Sequence, residues 1–238
     1  MRLGGPLIVV ASFAALFTLG CKQDSEAAEP EYNPVIDPAN FVTAVTNPLF
    51  PLLSGRTFVY VSGADSNEVE VTHQTRVVMG VTCVVVRDRD WENRELREET
   101  YDWYAQDKPG DVWYFGENSL QYENGAVVST EGSWEAGEDE AKPGIIMKAN
   151  RQIGESYRQE FKEGEAEDMA EIVSLTDTVT VAYGHFENCL RTREWSPLEP
   201  GVTEYKFYAS GVGLVKTLEG SEVFSLVTIR TDTSAASH

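Results

Sequence analysis

Carboxylates dominate the reactive groups of this chain, with 39 Asp and Glu against 19 Lys and Arg in 238 residues. Their spacing offers two kinds of chemistry. Glu138, Asp139 and Glu140 stand together, and a second loop carries Glu165, Glu167 and Asp168. Hard cations such as Ca²⁺ take six to eight oxygens, so both loops are candidate metal ligands, although neither keeps the alternation of an EF-hand. Solvated loop faces have the same composition. Glu98, Glu99 and Asp102 lie beside Trp103, and Glu194 precedes Trp195. Carboxylates beside aromatic platforms suit glycoside cleavage, which needs two of them about 5–10 Å apart. Cys83 and Cys189 sit in apolar runs and fit either a disulfide or two buried thiols. His73, His185 and His238 give neither a Cys–His pair nor zinc-ligand spacing. There is no phosphate-binding glycine loop and no nucleophile elbow. Ca²⁺ is therefore the one cofactor these residues suggest.

Aromatic side chains form the remaining constellation: Trp103, Tyr104, Trp113, Phe115, Trp134 and Trp195. They fill a core or wall a groove for an apolar ligand. In Val112-Trp113-Tyr114-Phe115 neighbouring rings must point to opposite faces of a strand. One face therefore carries bulky rings outside the main core, unless another layer covers it.

The elements that must position these groups read as strands. Phe58 to Val61 and Glu68 to His73 alternate apolar and polar residues, and Val81 to Val86 is a β-branched run. Asn124-Gly125 between two such runs is a hairpin signal, because both central residues of a type I′ turn need positive φ. Asp107 to Gly110 reads as a second short loop. One short helix is expected near 165–173, with Ala166, Met169, Ala170 and Val173 at helical spacing. Strand spacing without alternating helices points to an all-β domain: one strongly curved antiparallel sheet, a barrel or a sandwich. Two segments echo each other. Cys83 precedes Tyr104-Ala105 as Cys189 precedes Tyr208-Ala209, with the cysteines 106 and the Tyr-Ala pairs 104 residues apart. Two similar halves or chance would produce this.

The amino terminus sets the compartment. Met1-Arg2 is followed by an apolar run from Leu7 to Leu19 that turns polar after Cys21, the layout of an export signal too short to span a bilayer. Thr18-Leu19-Gly20-Cys21 resembles the lipobox of bacterial lipoprotein precursors, with Thr18 and Leu19 where Leu and a small residue are usual. The resemblance implies removal of residues 1–20 and acylation of Cys21, whose chains anchor the protein in a bilayer. The other reading is plain secretion with Cys21 as a thiol. Residues 21–48, acidic and rich in Pro, read as a tether, 49–233 as the β domain, and 234–238 as a disordered tail. A net charge of −20 argues against nucleic acid as a partner.

Four strings carry a wider resemblance: Tyr101 to Asp107, Gly110 to Glu117, Gly132 to Gly137 and Glu204 to Val215. In these the chain is similar to uncharacterised bacterial exported lipoproteins, which implies an envelope location and no settled activity. Three functions follow. The first is an envelope lipoprotein whose β domain binds an apolar small molecule, a lipid or a partner protein. The second is a hydrolase of envelope carbohydrate, and the third a Ca²⁺ binder. A carrier of apolar ligands predicts an aromatic cavity with few charges. A hydrolase predicts carboxylates of separate strands converging in one cleft.

Overall fold

The computed structural model describes residues 32–232, so the leader, Cys21 and the tail at 234–238 lie outside the described residues. A 3₁₀ turn at Pro38–Asn40 leads into sixteen strands of one antiparallel sheet. They are β1 (Phe41–Val42), β2 (Arg56–Ser62), β3 (Asp65–Val78), β4 (Val81–Glu92), β5 (Glu95–Asp107), β6 (Val112–Glu123), β7 (Ala126–Ser129) and β8 (Trp134–Glu135). They continue as β9 (Lys142–Met147), β10 (Ser156–Arg158), β11 (Glu160–Phe161), β12 (Met169–Val181), β13 (Gly184–Trp195), β14 (Glu204–Ala209), β15 (Gly213–Glu219) and β16 (Glu222–Thr231). The ladder runs β10-β12-β13-β14-β15-β16-β2-β3-β4-β5-β6-β9-β11. Its two ends approach where β9 lies against β10, so the sheet is nearly closed into a barrel. The expected hairpin forms: Asn124 and Gly125 take φ of 52° and 78° between β6 and β7.

The helix expected near 165–173 is absent. A turn ends at Ala166, with the Glu167 side chain accepting from Gly164 N at 2.8 Å, and β12 begins at Met169. Ala170 and Ile172 are both fully buried while their neighbours are not, a period of two imposed by pairing with β13. The ladder outweighs the weak helical spacing because tertiary pairing overrides local propensity.

The tether also ends earlier than its composition predicts. Tyr32 Oη donates to Pro143 O at 2.8 Å, and Val45 and Asn47 are 1% and 4% exposed. Thr46 N and Asn47 N both donate to Gln106 Oε1 at 2.7 Å. Single apolar residues in a Pro-rich stretch can each bury against the sheet if its side chains satisfy their amides.

The alternation of rings resolves as a third layer. Val85, Trp103, Ala105 and Phe115 share one face with Cys83, and Trp134, Ala136 and Ala141 cover it. Cys189 belongs to a different core with Phe58, Phe207 and Leu226. Both thiols are free, so the disulfide reading is corrected: each cysteine is sealed in its own apolar cluster. Burial pushes the Cys83 thiol up to about 12 and raises that of Cys189.

The echo in the sequence is a repeat of register. Val84 pairs with Tyr104 and Val86 with Asp102, as Leu190 pairs with Tyr208 and Thr192 with Lys206. On the next strand Tyr104 and Asp102 face Tyr114 and Glu117, where Tyr208 and Lys206 face Leu214 and Thr217. Both ladders shift register beside the tyrosine. The meander β3–β6 is thus matched, position by position, by β12–β15.

Candidate functional site

Two hollows flank the first meander. On the covered face, a cleft of about 560 Å³ brings together Trp103, Trp134, Glu138 and Asp139 with Arg76 and Glu117. The Arg76 guanidinium lies 4.1 Å from the centre of the Trp103 ring and pairs with Glu135. Both indoles are buried, so the platforms are closed by protein.

On the opposite face lies a chamber of two adjoining cavities, about 160 Å³ and 140 Å³, sharing Tyr60, Asp88 and Lys206. The parity of β4 that buries Val86 also turns Asp88 and Asp90 toward this face, and β5 adds Asp102 and Tyr104. Asn67 donates to Asp88 and, at 2.9 Å, to Asp90 Oδ1. Tyr114 Oη donates to Asp102 Oδ1 at 2.7 Å, and its ring stacks on Tyr104 with centroids 4.8 Å apart. From the second meander, Lys206 Nζ reaches Glu194 Oε2 at 2.8 Å and Glu204 Oε2 at 3.0 Å. Thr192 Oγ1 donates to Glu194 Oε1 at 2.7 Å.

Electrostatics follows from burial. Burial, with Asp102 alongside, pushes the Asp88 carboxyl up to about 7 against the pull of Asn67. Asp102 rises to about 7 by burial, opposed by the Tyr114 hydrogen bond and reinforced by Glu98. Glu204 rises to about 7 by burial although Lys206 opposes it. Asp90, Glu117 and Glu160 are driven well above the carboxylate range, by burial first and then by their acidic neighbours. Burial alone would lower the Lys206 ammonium, but Glu194 and Glu204 hold it well above the usual lysine value. Near neutrality Asp88, Asp102 and Glu204 are poised between neutral and charged forms, and a cation would draw them to the charged one.

Other sequence candidates are dispersed. Phe115 is core, and Trp113 packs on Phe41 with its Nε1 donating to Asp107 Oδ2 at 3.0 Å. Trp195 lies under the Arg193 guanidinium, 4.7 Å away. Asp102 and Glu194 enter the chamber or its walls, while Trp103 and Trp195, one residue on, point the other way. Carboxylate and platform, adjacent in sequence, are therefore separated by the sheet. The acidic loops divide too. Glu140 is exposed and Glu165 pairs with Lys162, while Asp168 turns inward, where burial raises its carboxyl and Ser196 hydrogen-bonds to it. Among the described residues, no three Asp, Glu, His or Cys side chains are placed to hold a metal ion. Sequence reasoning missed Asp88, Asp90, Glu117, Glu160, Glu204 and Lys206. Their signal is charge at the inward phase of a strand, as in Val84-x-Val86-x-Asp88-x-Asp90 and Glu204-x-Lys206-x-Tyr208.

No protein-family model and no curated protein matches the chain. Among solved structures, a candidate exported protein of Bacteroides fragilis with a YmcC-like fold is similar, at 15% identity and a TM-score of 0.45, over 77% of this chain and 99% of that one. A candidate lipoprotein of Parabacteroides distasonis is similar at 14% identity and a TM-score of 0.36, over 77% and 99%.

Proposed function

We propose that this chain is a lipid-anchored envelope protein whose barrel binds a small organic cation. The anchor rests on the export signal and Cys21. One observation supports the binding: carboxylates of β4, β5, β13 and β14 turn inward around a single lysine, Lys206, with Tyr60, Tyr104 and Tyr208 as walls. Taking acids out of water costs several kcal/mol each unless they are paired, and one lysine cannot pair them all. A protein that is 42% hydrophobic has apolar residues for a core, so such acids are kept for what they hold. Their charge moves the reading from an apolar ligand to a cationic one.

The mature protein in detergent micelles, heated at pH 8 with 1,4-diaminobutane, should melt several degrees higher than in NaCl of equal ionic strength. Uncharged 1,4-butanediol should leave it unmoved. Equal response to both, or to neither, would overturn the cation reading. Mass spectrometry of the same sample should find Cys21 as the first residue with its acyl mass.

A further inference from the structure

Resting on the cation reading, the two meanders give it a chemical identity, because one is the template of the other. We infer that the first meander holds a primary ammonium group between Asp88 and Asp102, as the second holds the ammonium of Lys206. Asp88 corresponds in register to Glu194, Asp102 to Lys206 and Thr100 to Glu204. In the second meander an ammonium stands on Glu194 and Glu204 at 2.8 and 3.0 Å. In the first meander the same positions offer two carboxylates, and Lys206, which lines the same cavity, spends its ammonium on Glu194 and Glu204. The hydrogen bonds that Asp88 and Asp102 accept fall on Oδ1 in both, from Asn67 and from Tyr114.

Two atoms outside this pair add to it. Glu117, directly across the ladder from Asp102 and also lining the cleft of the covered face, is 6% exposed; its carboxyl meets Tyr114, but its Oε1 has no hydrogen-bond partner within the protein. Tyr157, near Glu194 and Lys206, is 8% exposed, and its hydroxyl also has none. Buried polar atoms nearly always find partners, and a ligand ammonium beside Asp102 would bring donors near the first of these. An ammonium brings three. The cavity beside Asp88 and Asp102, about 160 Å³, is walled by Phe50, Leu52 and Tyr104. It takes a short alkyl chain, since drug-sized ligands occupy roughly 300 Å³ or more.

The test compares n-butylamine, a primary ammonium ion at pH 8, with tetramethylammonium, which donates no hydrogen bond. Isothermal titration into the mature protein in micelles should show at least tenfold tighter binding of n-butylamine. Asp102→Asn, nearly isosteric, should weaken that binding at least tenfold. Asp102→Lys places the second meander's cation in the first. It should fold, as judged by circular dichroism and a cooperative melt, and should no longer bind n-butylamine. Equal binding of the two ions, or unchanged n-butylamine affinity in Asp102→Asn, would overturn the inference while the cation reading stood on diaminobutane. Binding of none of these cations would remove both.

Discussion

The two meanders share a register but not a chemistry, and the difference separates what the fold demands from what it leaves to function. Tyr104 and Tyr208 occupy one position in both, each beside a shift in the ladder. Two residues earlier, one meander carries Asp102 and the other Lys206. In the second, Lys206 pairs with Glu194 and Glu204. The first stacks acid on acid, and burial raises its carboxyls. The backs differ too: segment 133–141 covers the first, and Gly116 is where that layer touches.

The largest effect expected in breaking this comparison is at Gly116, which has φ of 130° and would place a Cβ 2.3 Å from Trp134 O. Gly116→Ala should cost about 3 kcal/mol or more in urea unfolding. Lys216→Ala, at the same place in the second meander, should cost about 0.5 kcal/mol. Equal costs would mean that the covering layer is not seated as described. Next, Lys206→Met removes the one cation of the chamber and should cost about 2–3 kcal/mol at pH 8. The loss should shrink at pH 5, where Glu204 is protonated with or without it.

The protein without substitution supplies the third test. Asp88, Asp102 and Glu204 titrate near 7 in the native state, against about 4 when unfolded. Between those values the native state holds more protons, so stability should fall as pH rises from 5 to 7 and level off above. A drop of roughly 2 kcal/mol per carboxyl is expected, and a urea midpoint that rises through this window would contradict it. Asp102→Asn should reverse part of the drop, gaining about 1 kcal/mol at pH 8 and nothing at pH 5. The smallest effect concerns Cys83 and Cys189, also equivalent in register. Neither should react with a thiol reagent at pH 8 before unfolding, and reductant should leave the melting temperature within about 1 °C.

Several elements were legible because their causes are local. Asn124-Gly125 demanded a type I′ turn, and the alternation around Val112–Phe115 left two outcomes open, rings exposed on one face or a covering layer, of which the structure has the second, supplied by Trp134 and its neighbours. Helical spacing at 165–173 misled, because four apolar residues weigh less than a registered ladder with β13. The metal and platform constellations were drawn from neighbours in sequence, and alternation sends such neighbours to opposite faces: Asp102 to Tyr114, Trp103 to Arg76.

From the sequence alone came the all-β character and the repeat of Cys and Tyr-Ala, since each depends on a few consecutive side chains. Which acids would meet was decided only in three dimensions. Asp88, Asp102, Glu194 and Lys206 lie on four strands, and only register and the near-closure of the sheet bring their side chains into one low-dielectric space.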